Sequence, residues 1–232
     1  MKIGIIGAME SEISALKDMM TGVRITTHAH MDFFTGKICD KDIVLVKSGV
    51  GKVNAAAAAQ ILVDVFKVTH IINTGAAGSL DAKINIGDIV IATDAVQHDM
   101  DCTGLGCSLG KIPFFKKSYF TSDEKLRTLA ADICGEICTD IVAHEGRVAS
   151  GDKFVCDPDT KKYIRENFDA MCCEMEGAAI MQVAYINDVP CLVLRAISDK
   201  ADDSAEMDYP AFERMAAWHS IKILSEIIKR ME

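Results

Sequence analysis

The sequence predicts an α/β fold laid out as a single domain over 1–232, with a mainly parallel sheet covered by helices on both faces. Two observations carry that expectation. Short apolar runs recur along the chain, and each is followed by a turn and then by helical spacing. Buried strands that alternate with helices need crossover connections, and these give parallel pairing with both sheet faces covered. The second is continuity: the chain has four Pro, never clustered, and no internal repeat, low-complexity tract or linker divides it.

Taken in order, Ile3–Ile6 reads as the first buried strand, feeding a helix from about Ser11. Phe33–Cys39 reads as an antiparallel addition to the sheet. Ile43–Val46 is the next apolar run, ending at Ser48-Gly49-Val50-Gly51 before an alanine-rich helix over 53–66. His70–Asn73 follows and ends in Thr74-Gly75-Ala76-Ala77-Gly78. Ile89–Ala92, Ala143–Ala149 and Cys191–Ala196 have the same character. The segment 97–120 has three Gly and little periodicity, and reads as a long loop of the kind that often carries function. The last helix is expected over about 210–231, with apolar positions at helical spacing and a basic end.

Composition narrows the function. Half of the 232 residues are hydrophobic and the formal net charge is -9. An acidic surface disfavours nucleic acid and anionic membrane as partners, while leaving room for a small molecule in a local pocket. No run of about 18 apolar residues is present, so no membrane span is expected. The apolar start, MKIGIIGAM, is too brief for a signal segment and reads better as a strand and turn. Nine Cys are scattered with no C-x-x-C and no zinc spacing, which fits reduced, mostly buried thiols in a cytoplasmic protein.

In a parallel α/β sheet, ligands sit beyond the C-terminal ends of the strands, so the residues just after each apolar run are the ones to inspect. After the first come Met9-Glu10-Ser11-Glu12, which as acids at a helix start could simply answer the helix dipole. After the second, Ser48-Gly49-Val50-Gly51-Lys52-Val53 invites a phosphate-loop reading that fails: Val46 stands where the first Gly is needed and Val53 where Ser or Thr is needed. Gly75-Ala76-Ala77-Gly78 offers only small side chains, suited to close packing or close approach of a ligand. Arg195-Ala196-Ile197-Ser198-Asp199 ends the late run, where Asp199 is either a helix cap or an acid in a cleft. Glu174-Met175-Glu176 places two acids in an apolar stretch, and carboxylates are rarely buried without a partner or a task. Glu12, Glu176, Arg195 and Asp199 thus fall at one rim. Carboxylates gathered there suit glycoside cleavage, in which one group activates water, another protonates the leaving group, and negative charge stabilises an oxocarbenium ion.

Six motifs in fixed order then identify a relationship: MKIGIIGAMESE, KSGVGKVNAA, INTGAAGSL with IGDIV after it, SGDKFV, EMEGAAI and LRAISDKAD. Over nearly its whole length the chain resembles the 5′-methylthioadenosine/S-adenosylhomocysteine nucleosidases of the nucleoside phosphorylase superfamily. The resemblance implies a three-layer α/β/α sandwich with a central twisted mixed sheet, acting as a homodimer without metal or organic cofactor. It implies hydrolysis of the N-glycosidic bond of methylthioadenosine, adenosylhomocysteine and 5′-deoxyadenosine, giving adenine and the sugar, within methionine salvage and methyl-cycle detoxification. Carried over residue by residue, Glu12 activates the water and Asp199, helped by Ser198, protonates adenine N7. Glu176 accepts from the ribose hydroxyls and Met175 packs on the sugar. Phe154 stacks on the purine and the backbone of Val155 reads its edge. Met9, Val50 and Tyr209 line the sugar and alkylthio end, Ala76 lies beside the water, and Arg195 holds the water and the acids. Ile112 and Pro113 are expected to close the alkylthio pocket of the partner subunit. Glu174 is expected to be a supporting group or ion-pair partner.

The chain departs from that family pattern at Ala76, where a Ser is usual, and at Leu105 and Cys107, where aromatics often line the alkylthio pocket. Two rival activities share the fold. A phosphorylase would need arginines around an anion, and the first strand instead ends in acids. A nucleosidase specialised for aminodeoxyfutalosine would keep the same acids. A binding protein without catalysis would be expected to lack Glu12 or Asp199, and both are present.

Overall fold

A computed structural model describes residues 1–202 and 204–231, apart from the side chains at 206, 207, 210, 213, 214 and 216. The chain begins with β1 (Lys2–Gly7), α1 (Glu10–Met19), β2 (Thr21–His28), β3 (Met31–Ile38), β4 (Lys41–Lys47) and α2 (Lys52–Asp64). It continues through β5 (His70–Ser79), β6 (Ile89–Gln97), β7 (Tyr119–Thr121), α3 (Glu124–Ile137), β8 (Ala143–Ser150) and α4 (Pro158–Phe168). It closes with β9 (Ala170–Glu174), α5 (Gly177–Ile186), β10 (Cys191–Asp199) and α6 (Ala205–Arg230).

All ten strands join one mixed sheet. Parallel ladders link β1 to β4 and β5, β5 to β10, and β8 to β6 and β9; antiparallel ladders add β2, β3 and β7 and close the rest. The strand Met31–Ile38 is the antiparallel addition expected near 33–39. β5 is the hub. Along one edge it pairs with β10; along the other it pairs first with β1, over His70–Asn73, and then with β9, over Gly78–Ser79. Because β10 also pairs with β6, the strands β5, β10, β6, β8 and β9 form a closed ring rather than an open sheet. Gly78 is needed beside the end of β10, since an added carbon there would stand 2.7 Å from Asp199 Oδ1 and 2.9 Å from Ala201 Cβ.

The central strands read as continuous apolar runs because both faces are covered. One face packs Ile3, Ile5, Ile72, Leu192 and Leu194 against Ile13, Leu16, Leu224 and Ile228 of α1 and α6. The other packs Ile71, Val193 and Ile197 against Ala55, Ala58, Ala59, Ala178 and Ile180 of α2 and α5. The alanines let these two helices approach each other and the sheet closely. A third cluster, with Ile164 and Phe168, sits under α4. Burying side chains of this size contributes roughly 1.5–3 kcal/mol each.

Three strands, β2, β7 and β9, are absent from the sequence reading. β2 is exposed along almost its whole length, and its only alternation, Val23 and Ile25, is too short to mark a strand. The expected loop over 97–120 is shortened at its end by β7, three residues paired antiparallel with Asp94, Ala95 and Val96 of β6. Among the described residues no helix is long and apolar enough to cross a membrane.

Candidate active site

A cavity of about 380 Å³ lies beyond the C-terminal ends of β1, β5, β9 and β10. Its wall includes Met9, Glu12, Val50, Ala76, Phe154, Val155, Met175, Glu176, Ser198, Asp199 and Tyr209, so the sequence-predicted residues of the chain's own pocket come together there. Arg195 does not line it but stands behind its acids. Ile112 and Pro113 lie outside it, half-buried, with the Ile112 N–H donating to Ser118 Oγ at 2.9 Å.

Glu12 sits in the first turn of α1 and turns its carboxylate back over the helix start. Oε2 accepts from the N–H groups of Ala8 at 2.6 Å and Met9 at 3.0 Å, which satisfies donors that a helix start leaves free. Oε1 accepts from the Ala76 N–H at 3.1 Å. The carboxyl is buried, and desolvation raises its pKa above the ordinary value. The Arg195 charge and the three N–H contacts work against that rise without cancelling it. The result is an ionisable group with backbone-fixed geometry and basicity greater than an exposed glutamate's. With Ala76 in place of the usual serine, the contact on this side of Glu12 is a main-chain one. Gly75 is required here, since a Cβ would collide with Arg195 Nη1 and Glu12 Oε1.

Asp199 closes β10. The pairing register between β5 and β10 slips between Ile197 and Asp199, and this bulge turns both Ser198 and Asp199 toward the cavity. Ser198 Oγ donates to Asp199 Oδ2 at 2.8 Å, and the Ala201 N–H donates to Oδ1 at 2.8 Å. Burial raises the Asp199 pKa; the Ala201 and Ser198 hydrogen bonds oppose it, while the charges of Asp208 and Asp202 add to it. Asp199 thereby holds a proton more readily than an exposed aspartate.

The two acids that flank Met175 divide their tasks. Glu174 ends β9 and accepts from the N–H groups of Glu176 at 3.0 Å and Gly177 at 2.7 Å, the start of α5. It also pairs with Arg195 and accepts from Ser150 Oγ. Arg195 is fully buried and donates through Nη2 to Asn73 Oδ1 at 2.5 Å. Its pKa rises because Glu174, Glu176 and Glu12 together outweigh its desolvation. Glu176 stands one step further in: Oε1 accepts from the Gly51 N–H at 2.8 Å and Oε2 lies 3.7 Å from Arg195 Nη2. Burial, then the neighbouring Glu174 charge, push its pKa up to about 7. Three carboxylates, Glu174, Glu176 and Glu12, thus act on one guanidinium, and Asp199 adds a further acid to the cavity wall, so acids outnumber the one buried cation and leave the cavity net acidic.

The apolar end is built from half-exposed Val50 and Phe154. The Phe154 ring meets Tyr209 edge-on at 5.8 Å between centroids, and the Tyr209 hydroxyl donates to Met9 Sδ at 3.1 Å. Some participants were not named by sequence reasoning. Asn73 and Ser150 hold Arg195 and Glu174, and Lys153 lines the cavity; Cys173, which reads as a core thiol in the sequence, also lines it, as does Gly78 of the small-residue stretch. Asn73 and Ser150 belong to the INTGAAG and SGDKFV motifs. Their signal is a polar residue inside an otherwise buried strand, which needs a partner.

A family model described as the phosphorylase superfamily matches residues 2–229. A 5′-methylthioadenosine/S-adenosylhomocysteine nucleosidase of Staphylococcus carnosus is 41% identical over 230 residues, 99% of this chain and 100% of that one. The nucleosidase of Neisseria meningitidis, solved with methylthio-immucillin-A, superposes with a TM-score of 0.95 at 35% identity over 99% of both chains. A futalosine hydrolase of Helicobacter pylori superposes with a TM-score of 0.94 at 35% identity, covering 99% of this chain and 98% of that one.

Proposed function

The chain belongs to the phosphorylase superfamily, among its 5′-methylthioadenosine/S-adenosylhomocysteine nucleosidases, and from that premise we propose how its cavity works. The enzyme is an N-glycosyl hydrolase that cleaves methylthioadenosine and adenosylhomocysteine to adenine and the thioribose. The observation that carries the assignment of roles is the geometry of two buried carboxyls that face one cavity, Glu12 fixed by three backbone N–H groups and Asp199 fixed by Ser198 and the Ala201 N–H.

Adenine departs readily only when its ring nitrogen N7 takes a proton, and Asp199 is the group prepared to give one. Ser198 and the Ala201 N–H fix the orientation of its carboxyl. Glu12, fixed by three backbone donors, takes the proton from water as it attacks the anomeric carbon. Between these events the sugar carries positive charge, which the net acidic cavity stabilises. Glu176 accepts from the ribose hydroxyls, Met175 packs on the sugar, and Phe154 and the Val155 backbone hold the purine. Arg195 acts from behind, holding Glu174 and Glu176 close together against their mutual repulsion.

Among the described residues phosphate has no comparable seat. Arg195 is committed to Glu174 and Glu176 and does not line the cavity. The Lys153 side chain is 54% exposed and bonded to Asp157 and Thr160. The match to a futalosine hydrolase makes larger 5′ substituents, aminodeoxyfutalosine among them, and 5′-deoxyadenosine the comparison substrates for the assay. Adenine release from each, in buffer without phosphate, tests the assignment. Methylthioadenosine and adenosylhomocysteine are expected to be cleaved best, and a clear preference for aminodeoxyfutalosine would reassign the enzyme.

The active form is a homodimer in this reading. Leu105, Phe114 and Val53 are strongly exposed apolar side chains of the kind a second copy would bury while Ile112 and Pro113 reach the neighbouring pocket. Sedimentation at assay concentration tests this; an active monomer would refute it. A cytoplasmic location is supported by nine cysteines that are all unpaired.

A further inference from the structure

Two loops form the mouth of the cavity, one carrying Val50 between β4 and α2, the other carrying Phe154 between β8 and α4. They are not joined by apolar packing, since Val50 and Phe154 are each more than two-fifths exposed. They are joined by a polar chain. The Lys52 N–H, at the start of α2, donates to Asp152 Oδ1 at 2.8 Å. The Asp152 N–H donates to Asp99 Oδ2 at 3.0 Å, and Lys52 Nζ donates to Asp99 Oδ1 at 2.6 Å. Lys52 Nζ also reaches Gln97 Oε1 at 3.1 Å, and Gln97 Nε2 donates to Gln182 Oε1 on α5 at 2.5 Å. Asp152 joins the two sides directly, and Asp99, which lies on neither loop, ties to both: to the Lys52 side chain at the start of α2 and to the main chain of Asp152.

What the chain fixes is functional. Gly51 immediately precedes Lys52 and gives its N–H to Glu176. It does so from a left-handed backbone (φ +97°), with Asp152 Oδ1 only 3.1 Å from the position of a Cβ. Phe154 lies two residues beyond Asp152. We propose that Asp99 is a positioning residue for nucleoside binding: its carboxylate clasps the two mouth loops and so sets both the Gly51 N–H on Glu176 and the Phe154 ring over the cavity. The assignment rests on the hydrolase reading above. Glu12 and Asp199 are held by contacts of their own, to Ala8, Met9, Ala76, Ser198 and Ala201, so the clasp governs binding rather than the proton transfers.

Groups that hold substrate and transition state alike change KM when they are loosened, not kcat. Asp99→Ala is therefore expected to raise KM for methylthioadenosine about fivefold, the reach of one charge-assisted contact at a partly exposed site, with kcat within about twofold. Lys52→Met should do the same, and the double variant should be no worse than the worse single one, because both remove one clasp. Asp99→Asn keeps an acceptor for the Asp152 N–H and should recover part of the affinity. An unchanged KM, a loss confined to kcat, or additive effects would overturn the proposal. Amide hydrogen exchange at Lys52 and Asp152 supplies an arm that does not depend on the reaction. Protection there should fall about tenfold in Asp99→Ala, and unchanged protection refutes the clasp. If the unaltered protein releases no adenine, the hydrolase reading fails, and the exchange result still decides whether Asp99 joins the loops.

Discussion

Replacing Asp199 by Asn removes the proton donor while leaving its surroundings almost as they are. The carboxyl makes two contacts, one from the Ala201 N–H to Oδ1 and one from Ser198 Oγ to Oδ2, both at 2.8 Å. Asparagine keeps an oxygen for the Ala201 N–H, and its amide can donate to Ser198 Oγ, whose own proton then turns toward the Ala77 carbonyl, 3.4 Å away. One good hydrogen bond is exchanged for a similar one, so folding stability should change by no more than about 1 kcal/mol near pH 6. Turnover should fall by roughly 10²–10⁴, the usual worth of a positioned general acid. The sign of the pH effect is a further check. Burial raises the Asp199 pKa, so its protonated form stabilises the fold, and that contribution fades as pH rises through the folded-state value. The substituted amide cannot ionise, so the stability of Asp199→Asn relative to the native protein should rise with pH across that window. Adenine release followed by ultraviolet absorbance, with urea unfolding at several pH values, measures both. Turnover within tenfold of native in a folded variant would refute the role of Asp199.

The other sites yield equally concrete expectations. Arg195→Met leaves the carboxylates behind the cavity without their counter-charge and should cost about 3–5 kcal/mol in chemical denaturation. The loss should shrink as pH falls, because Glu12 and Glu176 already take up protons more readily than exposed glutamates. Gly75→Ala forces a methyl against Arg195 and Glu12, so kcat should drop about a hundredfold even where circular dichroism shows a native fold. Phe154→Ala should weaken adenine binding by about 1–3 kcal/mol in calorimetry, the usual worth of one aromatic stack on a base. The pH profile of kcat/KM should fall at low pH as Glu12 takes a proton and at high pH as Asp199 loses one, and both limbs should stand above ordinary carboxylate values.

Much of this site is legible in the sequence because strand ends declare themselves. The residues that follow the apolar runs place Glu12, Glu176, Arg195 and Asp199 on one rim from the sequence alone, although 74–79 and 195–199 form the last parts of β5 and β10 rather than turns after them. The resemblance then supplies their roles. The ring closure through β5 is not legible, because it depends on which strand takes over the edge of β5 at Gly78, and no periodicity encodes partner exchange. β2 is hidden because it buries neither face. The positions of Arg195 behind the cavity, and of Asn73 and Ser150 beside it, follow from three-dimensional charge compensation. Sequence marks such residues only as polar groups in buried strands. The Asp99 clasp joins residues 47 and 53 positions apart, and each alone looks like an ordinary surface charge.

The most direct test of the account is adenine release from methylthioadenosine by the purified protein, with and without phosphate. Adenine and free methylthioribose are expected at the same rate in both buffers, with Glu12→Gln inactive. Release that requires phosphate and yields a sugar phosphate would contradict it, and would strip Glu12 of its place as the base.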